Sequence, residues 1–260
     1  MNNRVLIDIE MFLKSKGFSQ KSIKSYSSII NKVINRIGIK FTEQELENLF
    51  SELNLKPRTY NLYRSVMNFY TKKYLGYELT FTKAKVDASL PERISKDEFF
   101  RFLMAIRNFK HKIGISLMYK SGLRVSEVCR LRKHDIDFEN QIIWIRKGKG
   151  GKDRKTIIPN DLLQYLKVYC GGVSDYLFPT YRGYISERSF EEIVKRAIIC
   201  SKLTKRFTSH DLRHNFAINL VNKGIDIEEV RKMLGHSKLT TTQIYLQCKN
   251  ENLTAIARCV

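Results

Sequence analysis

The sequence predicts a mainly α-helical fold with one small β-hairpin or sheet, divided into two domains. Three observations carry that expectation. Apolar residues recur at helical spacing over most of the chain, one pair of β-rich runs flanks a Gly/Lys turn at 141–158, and the helical period lapses over 76–92. At 260 residues and 43% apolar content the chain is long for one domain and comfortable for two, with enough apolar material for a real core.

Residues 1–75 read as helices only. Ser19 can cap a helix whose stripe is Ile23, Tyr26, Ile30, Val33, Ile34 and Ile37. Thr42 with Glu45 forms a capping box ahead of Leu46, Leu49, Phe50 and Leu53. Pro57 suits the first turn of a further helix, along which Tyr60, Tyr63, Met67, Tyr70 and Tyr74 align as a core stripe. Residues 76–92, with Gly76 and Pro91, lose the period and read as an extended linker. Ser95 with Glu98 opens the next helix by the same capping device, through Phe99, Leu103 and Ile106. The run QIIWIRKGKGGKDRKTIIP is a hairpin whose turn carries Lys147, Lys149 and Lys152; alone, it fits a solvated turn equally well. Helices return after 160. Ser209 is expected to cap one that stops at Gly224, and Asp226 to start another that ends at Gly235. The tail 248–260 has a stripe of Leu253, Ile256 and Val260, too short to fold alone, and should dock on its own domain or a neighbouring subunit.

The charge points to a partner. Lys and Arg number 47 against 26 Asp and Glu, a net +21, with 15 against 8 in residues 1–90 and 32 against 18 in 91–260. Both parts are basic, which suits a polyanion reached by both, DNA first, because phosphates release condensed counterions when neutralised. Five scattered cysteines, never in a CxxC pair, argue against a disulfide framework or a structural zinc and fit a reducing interior. No apolar run reaches the roughly 18 residues a membrane span needs. The opening MNNRVLIDIEMFLK has acids within its apolar stretch and does not read as a signal peptide.

A few polar residues are spaced for one chemistry. Arg124, Lys149, His210, Arg213, His236 and Tyr245 follow in order, with gaps of 3, 23 and 9 residues from His210 to Tyr245. Cleaving a phosphodiester needs donors for the charge on five-coordinate phosphorus, a nucleophile in line and an acid for the leaving oxygen. Arg124, at the start of a helix in SGLRVSE, and Arg213 offer planar paired donors that keep their charge. His210 shares a helical face with Arg213 and can hold or pass a proton. His214 lies four residues beyond His210, which raises a metal pair. Asp211 stands where the usual zinc helix has Glu, however, and no third ligand is evident beyond His236, so no metal is expected. Tyr245 is the candidate nucleophile; its phenol is only about 0.1% ionised at neutral pH and needs a proton acceptor and a cationic setting. Lys149 suits the acid.

SGLRVSEV (121–128), GKGGKDR (148–154), HDLRHNFA (210–217), LGHS (234–237) and TTTQIY (240–245) resemble the boxes of the tyrosine recombinase (phage integrase-like) family, nearest to its Xer recombinases. The resemblance spans about 120–246 and is weaker over 1–75. It implies a two-domain recombinase architecture: a helical core-binding (SAM-like) DNA-binding domain at 1–75, a linker at 76–92, and an α+β catalytic domain at 93–260. The C-terminal segment 248–260 would be exchanged between subunits. It implies that Arg124, Arg213 and His236 hold the scissile phosphate and Lys149, the member of the Gly/Lys turn that the alignment favours, protonates the 5′ oxygen. His210 would assist proton transfer and Tyr245 form a 3′-phosphotyrosyl link, with Glu127 as acidic partner of Arg124. No cofactor and no metal would be required. The partners implied are double-stranded DNA and a homo-tetramer on it, alone or shared with a paralogue, in the cytoplasm at the nucleoid and away from membranes. The implied function is Xer-like site-specific recombination resolving chromosome dimers. The alternatives are an integrase or resolvase of a mobile element or plasmid, a type IB topoisomerase, or a catalytically silent DNA-binding factor.

Overall fold

A computed structural model describes residues 2–86, 92–146, 153–181, 183–236, 242, 245 and 246. The chain splits into two compact units, Met1–Ala88 and Ser89–Val260.

The first unit is helical. It holds α1 (Asn2–Ser15), α2 (Gln20–Ile37), α3 (Glu43–Glu52) and α4 (Pro57–Tyr70), the last running into a π-turn at Thr71–Leu75. Ser19 caps α2, Thr42 and Glu45 form the capping box of α3, and Pro57 opens α4, as their residue types dictate. Helix α1 precedes the helices that capping signals marked. Its Ile9 and Leu13 are fully buried, while Asp8 and Glu10, which break up the apolar run, lie exposed. Tyr63, Met67 and Tyr70 are buried, so the tyrosine stripe is core. Tyr70 also donates to the Ile39 carbonyl at 2.8 Å.

Among the described residues of the segment after Gly76 there is no helix, and part of it is tied to this unit. Leu79 is buried and its N–H donates to Asn68, Glu43 accepts from the N–H groups of Thr80 and Phe81, and Asn61 exchanges two hydrogen bonds with Ala84. Residues 87–91 of the linker lie outside the described residues.

The second unit wraps helices around α6 (Phe109–Ser121), which is buried along nearly its whole second half. Around it stand α5 (Lys96–Met104), α7 (Val125–Arg130), α8 (Asn160–Gly171), α9 (Glu187–Cys200), α10 (Ser209–Asn222) and α11 (Ile227–Leu234). The predicted hairpin is present as β2 (Ile142–Ile145) and β3 (Arg154–Ile157), antiparallel, with Ile145 opposite Arg154 and Ile143 opposite Thr156. Strand β1 (Ile136–Asp137) joins β2 on its other edge, and β4 (Pro179–Thr180) pairs with β5 (Gly183–Tyr184). These extra strands are two residues long, too short to show a period. The turn residues 147–152, Lys149 among them, lie outside the described residues.

One boundary differs from its sequence reading. The cap of α10 is Thr208 rather than Ser209: its hydroxyl accepts from Asp211 N–H while the Asp211 carboxylate accepts from Thr208 N–H at 2.8 Å. Both residues can cap, but only Thr208 has an acid three places on that returns the bond.

Gly122 ends α6 in a left-handed conformation (φ 68°), where an added Cβ would lie 2.3 Å from the Phe216 ring of α10. Gly122→Ala combines overpacking with backbone strain and should cost about 2–4 kcal/mol. The expected result is a melting temperature lower by roughly 5–15 °C for a unit of this size. An unchanged melting curve would contradict this packing of α6 on α10.

Candidate active site

The α6–α7 junction supplies the first element. Arg124 is the N-cap of α7 and Glu127 sits at its third position, so the Glu127 carboxylate turns back and accepts from Arg124 N–H at 2.7 Å. The Arg124 guanidinium donates to the same carboxylate at 2.9 Å. Strand β3 supplies the second. Thr156 faces inward, its hydroxyl donating to the Ser121 carbonyl at 2.7 Å, and the period of two turns Arg154 the same way. Arg154 then forks onto both Glu127 oxygens, at 2.6 and 2.8 Å, and donates through Nε to the Met233 carbonyl at 2.8 Å. Helix α10 supplies the third. Arg213 donates to the carbonyls of Gly122, at 2.6 Å, and of Leu234, and stands 3.6 Å from Glu127 Oε2.

Three guanidinium groups therefore share one carboxylate. Glu127, Arg154 and Arg213 have side chains 8, 7 and 5% exposed, and Arg124 is 16% exposed, which leaves it the most open of the four. The cluster carries three positive charges against one negative. Burial alone would raise the Glu127 carboxyl; the Arg154 hydrogen bonds and charge, then Arg213, reverse that and hold it below the usual carboxylate range. Burial, then repulsion from Arg124, pushes the Arg213 guanidinium down to about 9, still charged at neutral pH.

Helix α11 ends at Gly235 (φ 60°), whose carbonyl accepts from Arg124 at 3.4 Å. A Cβ at Gly235 would lie 2.7 Å from Arg154 Cδ, so glycine is what lets that side chain pass. His236 follows, with Nδ1 3.1 Å from the Thr242 hydroxyl. Burial, then the charges of Arg213 and Arg124, push its imidazole down to about 3. It is therefore neutral at pH 7, able to give one hydrogen bond through the ring nitrogen that carries the proton. The unfolded chain takes up this proton near pH 6.5 and the folded one only near 3, so the stability linked to His236 is present above pH 6.5 and declines as pH falls below it. The expected NMR result is an imidazole that does not titrate between pH 8 and 5; a midpoint near 6.5 would contradict this setting.

Tyr245 is 1% exposed, packed with Phe216, Val230 and Leu234 in a cluster of α10 and α11 residues. Its hydroxyl lies 2.6 Å from Nδ1 of His214, and burial pushes the His214 imidazole down, favouring the neutral, accepting ring. His210, expected to serve this proton, is exposed in the first turn of α10. Among the described site residues, then, Arg124, Arg213, His236, Tyr245 and Glu127 gather in one region. His210 is exposed at the start of α10, and Lys149 falls outside the described residues, as does the tail 248–260. Two residues join the site that the sequence reading left out of its catalytic set. In the sequence Arg154 closes the GKGGKDR box without a marked role, and His214 stands out only as half of a metal pair.

The model of the phage integrase family matches residues 92–252, which include all of these groups. The chain belongs to the phage integrase family. Among relatives of this integrase-family chain, tyrosine recombinase XerA of Pyrococcus horikoshii is 31% identical over 267 residues, covering 97% of this chain and 92% of that protein. Tyrosine recombinase XerA of Thermococcus kodakarensis is 32% identical over 269 residues, covering 96 and 93%. The crystal structure of XerA recombinase matches with TM-score 0.56 at 26% identity over 94% of this chain and 93% of that one. XerH site-specific recombinase, in a post-cleavage complex with its palindromic difH substrate, shares the fold with TM-score 0.76 at 22% identity, over 97 and 84%. No helix among the described residues is long and apolar enough to cross a membrane.

Proposed function

We propose that this chain is a Xer-like site-specific DNA recombinase that cuts and rejoins DNA through a 3′-phosphotyrosyl intermediate on Tyr245. The observation that carries the reading is the buried cluster of three guanidinium groups around Glu127, beside a phenol. Excess charge of that kind is costly without a counter-anion, and a backbone phosphate supplies one. Arg124 and Arg213 would hold the non-bridging oxygens, where charge builds up in the transition state. His236, kept neutral, would donate one further hydrogen bond. Lys149 would give its proton to the leaving 5′ oxygen, and His210 would assist proton transfer. As Tyr245 forms its bond to phosphorus the bond to that oxygen breaks, so the phosphodiester energy is kept and rejoining is the reverse step.

In this proposal the helical unit at 1–75 grips the DNA core, the residues beyond 92 perform the chemistry, and 248–260 is exchanged within a homo-tetramer assembled on DNA, alone or with a paralogue. The overall +21 charge supports double-stranded DNA as the ligand. Resolution of chromosome dimers, in the cytoplasm at the nucleoid, is the cellular role proposed, resting on the Xer-like boxes and the XerA relatives.

The test is capture. Nicked fragments of the protein's own genome are incubated with it, covalent complexes are isolated, and the trapped ends are sequenced. The expected result is ends clustered at one chromosomal site flanked by inverted repeats. Clustering in a mobile element or plasmid would move the role there, and failure to trap any DNA would overturn the recombinase reading.

A further inference from the structure

Arg154 is buried, charged and so far without a role in the chemistry. Its guanidinium spends all three kinds of nitrogen on protein acceptors: Nη1 and Nη2 on the two oxygens of Glu127, and Nε on the Met233 carbonyl. Three of its five N–H donors are thus committed to protein acceptors, and its side chain is only 7% exposed. What it holds does reach the site. Glu127 also orients Arg124 through both main-chain and side-chain donors, and Arg124 is the most exposed guanidinium of the cluster. The carbonyl after Met233 belongs to Leu234 and binds Arg213; the one after that belongs to Gly235 and binds Arg124. Arg154 thus ties β3 to the start of α7 and to the end of α11, the two places from which Arg124 is aimed.

We propose that Arg154 is a positioning residue for DNA cleavage: by clamping both oxygens of Glu127 and the Met233 carbonyl, it aims the Arg124 guanidinium at the scissile phosphate. The inference rests on the assignment of Arg124 to that phosphate. A lysine cannot replace Arg154, because an ammonium is a point donor and cannot make two parallel bonds to a carboxylate and a third to a carbonyl in one plane. Without the clamp the Glu127 carboxylate is free to turn, and a displacement on the order of 1 Å in a phosphate-binding group is enough to slow chemistry about a hundredfold.

The experiment compares wild type, Arg154→Ala, Arg154→Lys and Arg124→Ala. Covalent trapping is measured in single turnover on a nicked duplex carrying the captured site, with either the natural scissile phosphate or a methylphosphonate in its place. The methyl group removes the negative charge that a guanidinium must neutralise, so a defect in aiming that guanidinium should shrink on this substrate, whereas a defect in folding should not. On the phosphate, Arg154→Ala and Arg154→Lys are expected to trap about 10–100 times more slowly than wild type, as loss of an orienting partner does elsewhere. On the methylphosphonate each should come within about threefold of wild type. The double variant Arg124→Ala/Arg154→Ala should be no slower than Arg124→Ala, since removing the aim of an absent group costs nothing further.

Equal defects on both substrates, additive losses in the double variant, or full activity of Arg154→Lys would each overturn the role. Inorganic phosphate titrated by calorimetry gives a second measurement independent of any DNA site, on folded variants matched by circular dichroism. Affinity should fall equally in Arg154→Lys and Arg124→Ala, and unchanged affinity in Arg154→Lys would also overturn it. Failure of wild type to trap either duplex would count against the recombinase reading itself, a result separable from all of these.

Discussion

Tyr245→Phe is expected to bind DNA as wild type does and to form no covalent adduct with it. The change deletes one oxygen, the atom proposed to attack phosphorus, and leaves the ring in place among Phe216, Val230 and Leu234. It also deletes the hydrogen bond to His214. A neutral bond of that kind contributes about 0.5–1.5 kcal/mol net, small beside the stability of a folded domain. The measurement is denaturing electrophoresis of protein mixed with a nicked substrate, alongside a gel-shift titration. Loss of the adduct with binding intact supports the assignment. An adduct of equal yield would mean that another side chain is the nucleophile, and loss of binding would show that the phenol is needed to hold the fold or the DNA.

Arg213→Ala should have the second-largest effect, and on two readouts. Removing one preorganised donor from a developing oxyanion typically costs on the order of 10²–10³ in rate, or about 2.7–4 kcal/mol. The carbonyls of Gly122 and Leu234 also lose their partner, and each buried acceptor left unpaired costs about 1–3 kcal/mol of stability. Arg213→Lys separates the two effects. It keeps the charge and can reach one carbonyl, so its melting temperature should recover more than its cleavage rate. Cleavage by Arg213→Ala within threefold of wild type would remove Arg213 from the phosphate site.

Much of the site was legible because its signals are local. Arg124 and Glu127 are three residues apart at a helix start, where an acid returns to the cap N–H whatever else the chain does. Arg213 and His236 stand out by residue type and spacing alone. Ser19, Thr42, Pro57 and Ser95 each announced a helix start through chemistry confined to one turn. The missed parts depend on distant segments. Arg154 follows a lysine-rich turn and reads as one more solvated cation; its burial is settled by a carboxylate 27 residues earlier and a carbonyl 79 residues later. His214 reads as the i+4 companion of His210, and only the approach of Tyr245, 31 residues on, gives it a different partner. Helix α1 carries acids that interrupt its apolar stripe. Strands β1, β4 and β5 owe their existence to the backbones beside them rather than to their own two residues.

The sharing of one carboxylate by three arginines bears on how a severed strand is kept. Glu127 offsets their mutual repulsion only in part, and a bound anion would relieve the remainder. Letting go of the phosphate would restore that repulsion, so release would be uphill at the very stage when the strand is broken. Under the proposed function a cut strand needs such a grip, and it would come from the protein's own unbalanced charge.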